Sequence, residues 1–329
     1  MEASAFEHRL REETAYAEQV LREHLPKEEG LQHRLMEAMN YSLLAGGKRL
    51  RPILMHETYR MCGGKESGAI GRFMAAIEMI HTYSLVHDDL PAMDNDRYRR
   101  GKETTWYVYG ETMGILAGDG LLNYAFETAL GALKAPKPLQ GESCEERLAR
   151  MERAASALAV LAEKAGIYGM IGGQAVDVMA EKETGQARGE SVRAERESQG
   201  AGGEGERLLF VHAHKTAALI QAAMMTGAIL AGASEEQVAA VEKCAYNIGI
   251  AFQIQDDILD VIGDSGELGK PTGSDAANEK QTYVTWKGLE QSKADVEALS
   301  REAVGILDGF PGEHEFLKQL ILTLIHRRK

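Results

Sequence analysis

Four polar side chains set into an apolar stretch mark out one helix of this chain. Between Ala251 and Ile262, Gln253, Asp256, Asp257 and Asp260 recur at i, i+3, i+4 and i+7, the spacing of a single helix face. Around them stand Ala251, Phe252, Ile254, Ile258, Leu259, Val261 and Ile262, so this helix is apolar on its other sides. Two readings are open: an exposed acidic face, or an acidic stripe turned toward an internal cavity. The apolar surroundings favour the cavity. Carboxylates this close repel one another, and a buried group of three needs a counter-charge. A divalent cation is the natural one.

The rest of the chain reads as helix too. It has 329 residues, 44% hydrophobic but only 6% aromatic, with Ala, Leu, Glu and Met plentiful, a mix that favours helix over sheet. Helical patterns run over 5–26, 30–45, 52–62, 67–90, 107–134, 144–165, 166–181, 207–231, 234–263, 288–307 and 313–327, punctuated by Gly and Pro. Residues 182–206 differ: Gly-rich, charge-dense and nearly free of large apolar groups, they read as a mobile surface insertion. Apolar helices flank it on both sides, so 1–329 is taken as one all-α domain. The net charge of -13 gives no support to a nucleic-acid binder. Cys62, Cys144 and Cys244 are scattered, which suits a reducing, cytoplasmic setting. No run of about 18 apolar residues occurs, so a membrane span is not expected.

A second acidic group closes the long apolar helix: Asp88-Asp89-Leu90-Pro91-Ala92-Met93-Asp94. Its outer carboxylates are spaced wrongly for one helix face, but Pro91 disrupts the helix and lets Asp94 loop back beside Asp88. Alone, the motif reads equally as a helix end running into an acidic turn. Two such clusters in one chain are harder to dismiss. Oxygen donors in small groups, without a cage of Cys or His, favour Mg2+ over zinc or calcium.

Basic residues punctuate both clusters. Lys48 and Arg51 share one face of a turn after Gly46-Gly47; Arg99-Arg100-Gly101 follows the first acidic motif; Lys215-Thr216 and Lys270 bracket the second. Arg99 and Arg100, being adjacent, diverge and reach two different anions. Singly, each is an ordinary solvated cation; the ordered set is not.

These residues stand in seven ordered motifs: Gly46-Gly-Lys-Arg-Leu-Arg-Pro52, Asp88 to Asp94, Arg99-Arg-Gly101, Gly172-Gly-Gln174, His214-Lys-Thr216, Phe252 to Asp260, and Gly269-Lys270. On them the chain resembles the trans-isoprenyl diphosphate synthase (polyprenyl synthetase) family, and most closely its bacterial-type farnesyl diphosphate synthases. The resemblance implies an isoprenoid synthase-type bundle of about ten core helices around a deep central cavity, in a homodimer. It implies that Asp88, Asp89, Asp94, Asp256 and Asp260 hold about three Mg2+ ions against an allylic diphosphate. Arg99, Lys215 and Lys270 would contact that diphosphate, and Lys48, Arg51, His81 and Arg100 the diphosphate of isopentenyl diphosphate. Thr216 and Gln253 would turn their dipoles to the developing allylic cation.

The family sets product length with bulky residues just upstream of the first acidic motif, here Tyr83 and Ser84. An aromatic at Tyr83 resembles enzymes that stop at farnesyl diphosphate; geranylgeranyl synthases often carry a smaller or more flexible residue. A longer-chain synthase shares every motif, and a non-catalytic subunit of a heteromeric synthase is the alternative from another class. Two departures stand out. Glu103-Thr104-Thr105-Trp106 replaces the usual Pro-Thr-x-His, and Val284 a frequent proline.

Overall fold

The structure, a computed structural model, describes residues 2–65, 68–134, 142–186, 203, 205–262 and 281–325. The chain is all-α, as its composition predicts. The helices are α1 (Ala3–Glu23), α2 (His33–Leu43), α3 (Leu50–Met61), α4 (Gly68–Asp88), α5 (Thr105–Tyr109), α6 (Glu111–Leu130), α7 (Cys144–Ala165) and α8 (Met170–Gln186). There follow α9 (205–211), a π-helical turn (His212–Ala217), α10 (Ala218–Ala231), α11 (Glu235–Ile262), α12 (Tyr283–Lys287), α13 (Leu289–Leu307) and α14 (Glu315–Ile325). The one sheet among the described residues is the hairpin β1 (Tyr98–Arg99) and β2 (Lys102–Glu103), antiparallel. The expected insertion at 182–206 falls largely outside the described residues, as does the site candidate Lys270.

Contacts gather in two compact units: Met1–Leu161 with Met225–Ser234, and Ala162–Met224 with Glu235–Lys329. In the first, α4 is the core. Phe73, Met74, Ala75, Ala76, Ile77, Met79 and Ile80 are all buried, as an all-round apolar helix must be. It packs against α1, α3 and α6. An ion-pair cluster ties α1 to α3: Glu13 accepts from His56 Nδ1 at 3.0 Å and from Arg60 at 3.1 Å, and Glu57 accepts from Arg9 at 2.9 Å. Glu13, His56 and Glu57 are grouped closely enough for a metal, but guanidinium groups already answer both carboxylates.

In the second unit, α11 packs along α13 and against the π turn. α12 escapes the helical periodicity because it is five residues long. It is started by Thr282, whose hydroxyl accepts from the Thr285 N–H while the Thr285 hydroxyl accepts from the Thr282 N–H, a reciprocal cap.

One stretch, Cys144–Ala180, is long and apolar enough to cross a membrane by length and composition, with a mean hydropathy of 1.3 in its most apolar window. One such stretch is a weak indication, and Glu163, Lys164 and a turn at 166–169 interrupt it.

Candidate active site

The first acidic motif grows out of the end of α4. Pro91 has no N–H to extend the ladder and disfavours helical backbone at Leu90. The helix stops at Asp88 and the chain doubles back. Met93 and Asn95 both donate to the Leu90 carbonyl, at 2.9 and 3.1 Å, and the Asp94 N–H reaches the Asp88 carbonyl at 2.8 Å. The return of Asp94 to Asp88, expected from Pro91, is therefore present in the backbone.

The chain then enters the hairpin, whose turn residues Arg100 and Gly101 both take positive φ, 54° and 76°. That turn sends the two arginines apart. Arg99 Nε donates to Asp89 Oδ1 at 2.6 Å and its Nη2 lies 3.5 Å from Asp96 Oδ2. Arg100 instead donates to the Gly46 carbonyl. Asp89 is buried, and burial, with Asp94 and Asp96 nearby, pushes its carboxyl up to about 6 against the pull of Arg99. Of the first-motif carboxylates, Asp89 thus has one oxygen engaged by an arginine; Asp88 is half-buried and Asp94 exposed. Trp106 fastens the acidic loop: its Nε1 and the Thr104 hydroxyl both donate to the Asp96 carbonyl, at 2.9 and 2.8 Å.

The basic residues of the same unit converge beside this loop. Gly46 and Gly47 take φ of 89° and 142°, and α3 begins three residues later. Lys48 is exposed, while Arg51 is half-buried with an unpartnered buried Nε. Desolvation lowers Arg51 to about 10, with Arg100 adding to the fall and Glu78 opposing it. His81 keeps some open surface, yet desolvation and the guanidiniums of Arg51, Arg100, Arg99 and Arg49 hold it well below the usual imidazole range. It is a neutral hydrogen-bonding group among cations.

On α4, Tyr83 is buried and meets the His87 ring edge-on at 5.7 Å between centroids. His87 Nε2 donates to the Ile115 carbonyl of α6 at 3.0 Å. The tyrosine is therefore braced on the α6 side of the helix. Ser84 turns its hydroxyl to the His81 carbonyl at 2.9 Å.

In the second unit the π turn carries His214, Lys215 and Thr216. π turns accommodate an extra residue and recur at functional sites. Two glycines make room for it. A Cβ on Gly173 would lie 2.3 Å from the Lys215 nitrogen, and one on Gly249 would lie 2.3 Å from the Ala217 Cβ. The Gly172-Gly173-Gln174 motif thus lets α8 approach the turn. Lys215 Nζ donates to Asp177 Oδ2 at 2.6 Å, and the Thr216 hydroxyl donates to Gln253 Oε1 at 2.9 Å. Lys215, expected at the allylic diphosphate, and Thr216 and Gln253, expected at the developing cation, all lie in this one contact zone of α8, the π turn and α11.

The α11 stripe is divided. Gln253, Asp256 and Asp260 remain half-exposed, while Asp257 is buried. Its Oδ2 accepts the Tyr283 N–H at 2.7 Å and lies 3.8 Å from His212 Nε2. Asp257 therefore anchors α12, and the three groups left on the stripe are the metal candidates Asp256 and Asp260 with Gln253. Sequence reasoning missed Asp177 and the pair of Arg49 and Glu78, joined at 2.7 Å. For Asp177 a signal existed: it follows Gln174 by one helical step on α8.

Known proteins place the chain in a family. The polyprenyl synthetase family profile matches residues 32–309, running through both units. A chloroplastic geranylgeranyl pyrophosphate synthase of Capsicum annuum is 42% identical over 278 residues, 84% of this chain and 67% of its own. A farnesyl diphosphate synthase of Geobacillus stearothermophilus is 41% identical over 287 residues, 86% of this chain and 85% of its own. Among solved structures, an FPP/GFPP synthase from Zymomonas mobilis superposes with a TM-score of 0.77 at 28% identity, covering 98% of this chain and all of that one. With family profile, relatives and fold in accord, this chain belongs to the polyprenyl synthetase family and is a trans-prenyltransferase.

Proposed function

We propose that the enzyme condenses isopentenyl diphosphate with dimethylallyl and then geranyl diphosphate, and stops at farnesyl diphosphate. The observation that supports the stop is Tyr83, a buried aromatic five residues before Asp88, braced by His87. A second reading, elongation to geranylgeranyl diphosphate, is favoured by the names of most relatives, the Capsicum annuum protein among them.

The carboxylates fit magnesium. Asp94 is returned to Asp88 by a backbone hydrogen bond, Asp256 and Asp260 stand at i and i+4 on one half-exposed stripe, and oxygen donors in small groups suit this ion. In the first unit Asp88 and Asp94, with the second oxygen of Asp89, would hold it, and in the second unit Asp256 and Asp260 would. When bound, magnesium supplies positive charge against the departing allylic diphosphate.

The remaining work belongs to side chains. Arg99, Lys215 and Lys270 bind the allylic diphosphate; Lys48, Arg51, Arg100 and neutral His81 bind that of isopentenyl diphosphate. As the allylic C–O bond breaks, the oxygens of Thr216 and Gln253 present negative dipole ends to the carbon that becomes positive. The double bond of isopentenyl diphosphate attacks, a C–C bond forms, and the released diphosphate takes the departing proton. Apolar walls keep out water, which would quench the cation to an alcohol. Incubation with radiolabelled isopentenyl diphosphate, magnesium and dimethylallyl or geranyl diphosphate tests this reading. Label in farnesyl diphosphate is expected; no incorporation with either primer sinks it.

A further inference from the structure

The turn Gly46–Pro52 contains three cations, and the middle one points away from any ligand. Arg49 adopts left-handed backbone, φ 49°, a conformation rarely taken by a residue with a side chain. Its side chain runs inward, 2% exposed, to Glu78 on α4, itself 3% exposed. Arg49 Nη1 donates to Glu78 Oε1 at 2.7 Å and Nη2 to the Leu43 carbonyl at 2.9 Å, while Nε lies 3.7 Å from Glu18. A positive φ at an arginine is unfavourable and persists only where the surroundings impose it. Here the guanidinium, pinned on α2's end and on α4, imposes it.

The strained residue lies between Lys48 and Arg51. Its inverted backbone decides where those two side chains leave the turn. Glu78 has a second effect: its charge is felt by Arg51 and Arg100 as well as by Arg49. It stands one helical turn before His81 on α4. Guanidinium groups gathered this closely repel one another unless a counter-charge sits among them.

We propose that the Arg49–Glu78 pair is a positioning device for the isopentenyl diphosphate site, setting the turn that aims Lys48 and Arg51 and holding the cations together between turnovers. This inference rests on reading Lys48, Arg51, His81 and Arg100 as that site. Neither member of the pair touches the substrate. Two effects compete in a Glu78 variant. Removing a negative charge near an anion site would tighten binding, whereas losing the fixed turn would weaken it. With both partners buried and a backbone inversion depending on them, geometry dominates.

The test is Glu78→Gln, which keeps the shape and removes the charge. Its Kd for isopentenyl diphosphate alone, by calorimetry, and its KM for that substrate should rise about tenfold to a hundredfold. KM for geranyl diphosphate and the magnesium dependence should stay within about twofold, an even smaller displacement on the same scale. Arg49→Gln should do the same, and the double variant should be no worse than either single one. Should Glu78→Gln fail to fold, Glu78→Asp and Arg49→Lys, which retain charge but shorten or reshape the link, give the same readout. A lower KM, equal rises for both substrates, or a lowered Tm with unchanged KM values overturns the inference. A wild-type enzyme that incorporates no label overturns the functional reading instead.

Discussion

Gly249 is where the packing of the second unit can be tested most sharply. An added Cβ would stand 2.3 Å from Ala217 Cβ and 2.4 Å from its Cα, against an ordinary carbon contact of about 3.5–4.0 Å. In Gly249→Ala, α11 and the π turn must separate by about 1 Å or more. Ala217 follows Thr216 directly, and Gly249 lies one turn before Gln253, so the separation opens the hydrogen bond between Thr216 and Gln253, now 2.9 Å. Overpacking of this kind costs about 1–3 kcal/mol, and a displacement of about 1 Å near reacting groups costs about a hundredfold in rate. The assay is kcat with isopentenyl and geranyl diphosphates, alongside a thermal melt. Gly305→Ala is the control: that glycine lies in the last turn of α13, exposed, with nothing within 4 Å. It should gain at most about 0.5 kcal/mol of stability from helix propensity and leave kcat alone. A Gly249→Ala enzyme with wild-type Tm and kcat would refute the close-approach argument.

Three further outcomes are expected. Tyr83→Ala removes more heavy atoms than one isoprene unit contains; products should lengthen and stability fall by about 3–5 kcal/mol, and an unchanged product profile removes Tyr83 from the pocket floor. Asp177→Asn takes away the charge 2.6 Å from Lys215 and should lower kcat at least about tenfold with the KM for isopentenyl diphosphate intact; an unaltered kcat would mean that Lys215 is placed without it. His81 has a folded-state pKa depressed below its unfolded value, so below about pH 6.5 the unfolded chain binds the proton that the folded one refuses. Stability should therefore fall with falling pH from that point, by up to about 1.4 kcal/mol per pH unit, and His81→Gln should flatten the slope in denaturant titrations.

Much of the helical order was legible because its signals are local. The all-apolar run of α4 and the punctuation by Gly46-Gly47 and Pro91 are each decided by neighbours in sequence. Pro91 even gave away the return of Asp94, because a proline stops the ladder wherever it falls. What escaped depends on other elements. The four-residue stripe on α11 looks uniform on a helical wheel, yet Asp257 is claimed by the Tyr283 N–H of α12, a partner twenty-six positions away with no periodic signature. The π turn at His212–Ala217 exists because Gly173 and Gly249 leave it room, and neither lies near it in sequence. Arg49 reads as one more solvated cation in a basic turn. Only the depth of Glu78 on α4 draws it inward. The hairpin at 98–103 has two-residue strands, too short to alternate visibly, and only the Arg100-Gly101 turn marks it.

The most direct measurement offers farnesyl diphosphate itself as the primer, with radiolabelled isopentenyl diphosphate and magnesium, and follows label into longer chains. On the proposal that Tyr83 closes the pocket, farnesyl diphosphate should accept no further unit, while geranyl diphosphate in the parallel reaction should give labelled farnesyl diphosphate. Accumulation of labelled geranylgeranyl diphosphate from the farnesyl primer would contradict the stop at fifteen carbons.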